Sequence, residues 1–181
     1  MAELIYHIAT TVDSFISDKD GNAGPSVFLY EGDHVTGFLE DVSRYDAVLM
    51  GGKTYEYGFQ FGLKPGEPSA FKDLKHYIFS SSMQFESNEK VELIKDNAVE
   101  YIRNLKNKEK GKLWLCGGSM LAGSLIQENL IDQIILKVNP VIIGEGKPLL
   151  DGVNSNLILD LIDIKHFDNG VIKPTYNVIY S

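Results

Sequence analysis

The stretch that most limits the fold runs from Lys112 to Leu130, Lys-Leu-Trp-Leu-Cys-Gly-Gly-Ser-Met-Leu-Ala-Gly-Ser-Leu-Ile-Gln-Glu-Asn-Leu. Leu113-Trp114-Leu115-Cys116 has the length and apolar character of a buried strand. The strand stops at Gly117-Gly118, and Leu121, Leu125, Ile126 and Leu130 then recur at helical spacing. Strand, glycine pair and helix together bring bare backbone N–H groups and the positive end of a helix dipole to one point, an arrangement suited to phosphate. Glycine there leaves no Cβ to block an anion's approach. A tight turn is the simpler use of Gly-Gly. The spacing Gly117, Gly118, Gly123 matches neither the G-x-G-x-x-G dinucleotide fingerprint nor a P-loop.

The rest of the chain repeats the theme. Leu4 to Ala9 reads as a central strand, continued through Thr10-Thr11-Val12-Asp13-Ser14-Phe15-Ile16 with a bend. A polar, Gly-rich loop follows from Ser17 to Ser26 and is expected to be mobile. Asp33 is the expected N-cap of a helix whose apolar face is Val35, Phe38, Leu39 and Val42. Asp46 to Met50 is a buried strand that runs into Gly51-Gly52-Lys53-Thr54, a second glycine pair opening a helical turn. Here a lysine and a hydroxyl follow, both suited to phosphate oxygens. Lys75 to Phe79 is a third strand, ending in Ser80-Ser81-Ser82, and Val91 to Ile94 is a short edge strand. Ala98 to Leu105 is an amphipathic helix. Ile131 to Val138 is a strand. Leu157 to Phe167 and Val171 to Tyr180 are long strands joined by Asp168-Asn169-Gly170, a strong hairpin signal. Pro174 points to an edge strand or a bulge. Strand–helix alternation followed by a hairpin predicts an α/β fold: a doubly wound, mostly parallel sheet with an antiparallel C-terminal hairpin. Ligands of such sheets bind outside the carboxyl ends of the strands, where all three small-residue clusters fall.

No repeat or linker divides the 181 residues, so they are read as one domain, 1–181. The net charge of −8 argues against a nucleic-acid surface but leaves room for an anionic cofactor held by local N–H groups and lysines. No run reaches the roughly 20 apolar residues of a membrane helix, and no basic n-region opens the chain. The single cysteine, Cys116, fits a reducing cytoplasm and reads as a buried thiol rather than a nucleophile. His7, His34, His76 and His166 are scattered, so no metal site is expected.

Several segments resemble a known superfamily. Met50-Gly51-Gly52-Lys53-Thr54-Tyr55-Glu56 resembles the M-G-R-x-T-x-E segment of the dihydrofolate reductase superfamily. Leu115-Cys116-Gly117-Gly118-Ser119 resembles its strand ending in a Gly-Gly pair that contains a cis peptide. Asn139 to Leu149 is similar to the P-V-x-x-G-x-G-x-P-L segment of the branch related to the C-terminal reductase domain of the bacterial riboflavin-biosynthesis enzyme RibD. Thr11 to Ile16 resembles that branch's S-L-D-G-x-I. The resemblance spans nearly the whole chain and implies an NADPH-dependent reductase fold. Carried over by position, it puts Lys53 and Thr54 at the cofactor phosphates, with Gly51 and Gly52 before them. It puts Ser80 and Ser81 near the adenosine 2′-phosphate, Gly117, Gly118, Ser119 and Met120 along the pyrophosphate, and Ala9 against the nicotinamide.

Departures bear on the substrate. Dihydrofolate reductases carry a pterin-binding carboxylate in the helix before the M-G-R strand; the count puts Val35 there, with Asp33 on another side of the helix. Gly52 replaces the usual arginine, serines stand where an arginine often grips the 2′-phosphate, and Ser14 replaces the glycine of S-L-D-G. The first two losses weaken a preference for NADPH over NADH, and the third bears on the loop. Asp13, at the end of the first strand, is the best-placed proton source, and holding a turn is its other use. Tyr6, His7, Asp33 and Tyr57 are further pocket candidates. Two functions are therefore expected as rivals. One is an NADPH-dependent reductase of a small heterocyclic or carbonyl substrate. The other is a cofactor-binding regulatory or sensing module without turnover. The apolar Leu157 to Ile164 strand predicts a homodimer.

Overall fold

The computed structural model describes residues 1–180 of the chain. Its axis is β1 (Glu3–Thr11), flanked in parallel by β6 (Lys112–Gly117) and β7 (Gln133–Asn139). Beyond β6 lie β3 (Ala47–Gly51), β4 (Lys75–Phe79) and the edge strand β5 (Val91–Ile94), all parallel. Beyond β7 the hairpin β10 (Ile172–Ile179) and β9 (Ile158–His166) adds antiparallel. The eight-stranded order is β5-β4-β3-β6-β1-β7-β10-β9. A separate short ladder pairs β2 (Phe15–Ser17) with β8 (Lys147–Pro148). The mostly parallel α/β sheet with an antiparallel C-terminal hairpin is the architecture expected from the sequence.

The two-residue period of the strands divides the core. Leu4 and Tyr6 of β1, Leu49 of β3 and Leu113 and Leu115 of β6 face one side. There they meet Ile102 and Leu105 of α3 (Ala98–Lys108) and Leu125 and Ile126 of α4 (Ser119–Gln127). Ile5, Val48, Met50 and Trp114 face the other side, against α1 (Asp33–Val42) and residues 57–74. Trp114 is the keystone of that layer. Its ring stacks on Tyr45 at 5.7 Å and takes Phe71 edge-on at 4.8 Å. Its Nε1 donates to the His7 carbonyl at 2.8 Å, so the polar end is satisfied as the ring is buried.

Two local expectations change, both in α1. Gly32, not Asp33, is the N-cap of α1, and the Asp33 carboxylate accepts only the adjacent His34 N–H. Its inner face is His34, Phe38 and Val42 with Asp41 at its edge, while Leu39 is 56% exposed. That rotation arises because Lys173 of β10 lies beneath the helix and draws Asp41 inward. Pro174 lies on an interior strand, one residue before a ladder irregularity between Thr175 and Tyr176; the bulge alternative holds and the edge alternative does not. The 18–22 turn is tied by the Asp18 carboxylate, which accepts N–H groups of Asp20 and Asn22. By contrast, β9 at the sheet edge is exposed along its whole length, including Ile158, Leu159, Leu161, Ile162 and Ile164.

Gly123 serves packing. A Cβ there would sit 1.8 Å from the Asp151 carbonyl oxygen, a backbone atom that cannot rotate away. Gly123→Ala is therefore expected to destabilise the protein by at least about 2 kcal/mol through overpacking, read as a lower midpoint in urea unfolding. An unchanged midpoint would show that α4 can slide free of the 149–152 turn.

Candidate cofactor and substrate site

β3 and β6 are neighbours, and their carboxyl ends bring the two glycine pairs face to face. Met50 pairs with Gly117 in the ladder. A Cβ on Gly51 would lie 3.4 Å from the Gly118 nitrogen. The Thr54 hydroxyl occupies the adjoining space, 3.4 Å from where a Cβ on either Gly117 or Gly118 would be. Gly117 adopts φ +135°, open to glycine alone in practice, and the Gly117–Gly118 peptide is cis. Gly52 meets the third cluster: its Cβ would fall 2.7 Å from Ser80 Oγ. Side chains are excluded at residue 52 because the end of β4 closes on it. Gly51, Gly52, Thr54, Ser80, Gly117 and Gly118 thus meet along one rim of the sheet.

Two helices start on this rim, α2 (Gly52–Glu56) and α4; like α1 and α3 they have no side-chain cap, but they alone of the four also lack an acidic residue in the first turn. The helices that start elsewhere, α1 and α3, carry Asp33 and Glu100 in theirs. Uncapped N–H groups and an uncompensated dipole are a latent anion site. Ser119, half-buried, opens α4, and Met120 beside it is 72% exposed. Lys53 points away into solvent, its Nζ 2.9 Å from Glu56 Oε2 in a surface ion pair. Next to Ser80 and Ser81 a groove of about 240 Å³ is lined further by Lys95, Asp96, Asn97 and Leu121. It adjoins a larger one of about 460 Å³ between α3 and α4, whose Arg103 is engaged by Glu128. Lys95 and Asn97 were missed in the sequence because they follow an edge strand with no motif around them.

At the end of β1, Ala9 is half-buried and pairs with Lys137 of β7. Asp13 sits just past the strand, where its carboxylate accepts N–H groups of Ile143 at 3.1 Å and Gly144 at 2.7 Å. The Thr11 hydroxyl, and then these N–H groups, hold its carboxyl below the usual carboxylate range. The turn-holding use of Asp13 is thus visible in the geometry. Asn139, fully buried, reaches the carbonyls of Thr10 and Lys137 and accepts the Leu29 N–H, lacing β1, β7 and the approach to α1 together.

The other pocket candidates separate. Tyr6 faces α3 and α4, with its hydroxyl bonded to the Leu149 carbonyl. Tyr57 accepts the Ala23 N–H, and Asp33 is exposed at the start of α1. His7 lies beneath α1, its Nδ1 2.9 Å from the Tyr45 hydroxyl. The carboxylate that does face the sheet from α1 is Asp41, which Lys173 holds in a buried pair. Burial pushes the Cys116 thiol up to about 12, which leaves it protonated and unreactive.

Residues 2–173 match the RibD C-terminal domain family. The chain belongs to that family. The Bacillus subtilis (strain 168) protein YyaP is 30% identical over 181 residues, covering 96% of this chain and 94% of YyaP. The crystal structure of a candidate riboflavin biosynthesis protein from Shewanella sp. PV-4 superposes with a TM-score of 0.79 at 26% identity, covering 99% of this chain and 100% of that one. Dihydrofolate reductase from Enterococcus faecalis, solved with NADP(H), shares the fold with a TM-score of 0.62 at 16% identity, covering 97% and 96%.

Because the folded state depresses the Asp13 pKa, its hold on the 143–144 turn is complete above the ordinary carboxylate range. It is lost as the pH falls through the lowered value. Asp13→Asn should speed hydrogen exchange of the Ile143 and Gly144 amides about tenfold at neutral pH, the effect of weakening a charge-assisted hydrogen bond. Equal exchange rates in variant and parent would show that another contact holds the turn.

Proposed function

We propose that the protein is an NADPH-dependent reductase that delivers hydride to a small heterocyclic or carbonyl substrate other than dihydrofolate. The observation that carries this is the meeting of two bare glycine pairs with two uncapped helix starts on one rim. The donor set fits the group: backbone N–H groups of α4 and the Thr54 hydroxyl for the pyrophosphate, with Gly51, Gly52, Gly117, Gly118, Ser119 and Met120 bordering it. Ser80 and Ser81, with Lys95 close by, fit the 2′-phosphate end. Lys53 joins by exchanging its Glu56 partner for phosphate. Membership in the RibD C-terminal domain family and the fold shared with a reductase solved with NADP(H) support the same reading.

Bound NADPH supplies hydride from its nicotinamide, and the chain's work is to position and to exclude water. Ala9 offers a small, half-buried surface at the end of β1, so a flat ring can lie close to the backbone. The aromatic cluster of Phe38, Phe71 and Trp114 packs on the same face, with the Lys137 ammonium 5.5 Å from the Phe38 ring. Asp13 would act by fixing the 143–144 turn over this end of β1 rather than by giving up a proton, since its carboxyl is held ionised. Dihydrofolate is a poor fit because Asp41, the carboxylate facing the sheet from α1, is already committed to Lys173. The compartment that suits such a reaction is the cytoplasm.

Titration with NADPH should quench Trp114 emission and excite nicotinamide fluorescence by energy transfer. Ser119→Asp places a carboxylate at the start of α4. It should preserve or raise the melting temperature through the helix dipole while weakening NADPH about tenfold or more by charge repulsion. Equal NADPH affinity in this variant would remove α4 from the phosphate site. Binding with no oxidation of NADPH across oxo-pyrimidines, pterins and quinones would favour a sensing module over an enzyme.

We also propose a homodimer through β9, an exposed edge strand with apolar side chains that a second copy would cover. Light scattering at micromolar concentration should give twice the chain mass, and Ile162→Lys should return the monomer. A monomeric parent protein would end this proposal.

A further inference from the structure

Residues 57–74 cover the sheet layer that holds Trp114, and the last turn of that cover is closed by a histidine. His76 of β4 is fully buried, two residues before Ile78 and on the same side of the sheet. Its Nδ1 lies 3.0 Å from the Leu74 carbonyl, which can only accept, so Nδ1 carries the ring hydrogen. Nε2 is then a bare lone pair, and Ser69 brings it two donors, the backbone N–H at 3.1 Å and the hydroxyl at 2.8 Å. One imidazole thus ties both ends of the turn 69–74. Between those ends Phe71 is laid edge-on against Trp114 at 4.8 Å and against Phe38 at 6.1 Å. The Leu74 N–H, donating to the Phe71 carbonyl at 3.0 Å, closes the turn from within.

This set of contacts requires a neutral ring. A proton on Nε2 would point at the Ser69 N–H. The Ser69 hydroxyl can rotate and accept it, but a backbone amide cannot, so that N–H is left facing another donor. Nothing nearby rewards a positive ring. β3 and β5 place only Val48 and Val91 beside His76. Lys90, whose carbonyl accepts the His76 N–H, adds a like charge. Lys75 of β4 is turned to the Asn88 and Glu89 carbonyls and to Glu92. In the cover, the Tyr55 hydroxyl is committed to the Lys64 and Glu67 carbonyls, and the Glu67 carboxylate to the Lys64 N–H. Lys72, Asp73, Glu86 and Glu89 are exposed. Among the described residues no carboxylate lies within ion-pair distance of the ring. Burial is the largest influence on the His76 pKa and lowers it; the Leu74 carbonyl opposes this, and the Lys90 charge adds to it.

From this geometry we infer that His76 is an acid-sensitive latch: neutral, it holds Phe71 against Trp114; protonated, it releases the Ser69 end of the turn and opens the layer to water. The inference goes beyond the reductase reading and does not depend on it. Because the folded state favours the neutral imidazole, the latch is complete above the ordinary histidine range, about pH 6.5. It is lost as the pH falls through the lowered value. The cover is therefore shut at neutral pH and opened by acid, while the sheet beneath it stays intact.

The test follows the His76 ring nitrogens and the Ser69 amide by NMR from about pH 8 to about pH 4, a span that brackets histidine titration. Trp114, the single tryptophan, reports on Phe71 through its emission. At neutral pH the ring shifts should identify the Nδ1–H tautomer. As His76 takes up its proton, protection of the Ser69 amide from hydrogen exchange should fall about tenfold or more, the effect of losing one buried hydrogen bond. Trp114 emission should move to longer wavelength over the same range, with far-UV circular dichroism unchanged. His76→Gln leaves Ser69 an acceptor that does not titrate and should abolish the acid step. Ser69→Ala keeps the amide and should retain it. An Nε2–H tautomer, Ser69 protection that stays flat through the ring titration, or no acid step in emission would overturn the latch. So would a step that survives in His76→Gln, or a loss of circular dichroism at the same pH. Should His76→Gln fold poorly, the tautomer and the Ser69 protection of the parent protein decide the matter.

Discussion

The contact between the ends of β3 and β6 governs the rest of the molecule. The two backbones pack there with little room to spare, a Cβ on Gly51 falling 3.4 Å from the Gly118 nitrogen and the Thr54 hydroxyl filling the space beside Gly117 and Gly118. This approach brings the starts of α2 and α4 to the same rim, both without caps. Each helix terminus stabilises a nearby anion by about 0.3–1 kcal/mol when exposed and by more when partly buried. The close packing of Gly52 on Ser80 extends the rim to β4, so one line of small residues crosses three strand ends.

Charge inside the fold is distributed with a purpose that the net charge of −8 hides. Asp132 accepts both the Leu4 N–H and the Lys106 ammonium, which fastens the start of β1 to α3. Asp41 and Lys173 fasten α1 to β10. Breaking a buried pair such as Asp41–Lys173 by removing one partner typically costs about 3–5 kcal/mol, whereas the pair itself adds little; Asp132 is 43% exposed, so its pair with Lys106 is screened by solvent and costs less to break. Both pairs are best read as fasteners that fix how helices sit on the sheet. Among the described residues Lys137, half-buried on β7, has no carboxylate within ion-pair distance and so differs from them.

How far the chain could be read beforehand follows from the range of each interaction. The strands, the glycine pairs and the Asn169-Gly170 hairpin announce themselves through local rules of length, period and turn chemistry. The same rules misjudged α1: Val35 and Leu39 fit a helical period, yet buried His34 and half-buried Asp41 set the helix's rotation from across the sheet. Asn139 looked like one letter of a motif, but it laces three segments, one of them through a partner 110 residues away. Lys95, which lines the groove beside Ser80 and Ser81, carried no signal, because its neighbours there are set by the packing of distant segments.

The amino-acid sequence alone determined the element order, the parallel sheet and the positions where backbone is left bare, because propensity, period and glycine act over a few residues. Only the tertiary structure decided which bare stretches face one another, which carboxylates are already engaged and which ammonium is left over. Those outcomes depend on strand neighbours that are set by packing across the whole sheet. β6 slots between β1 and β3, although it follows them by many residues in the chain.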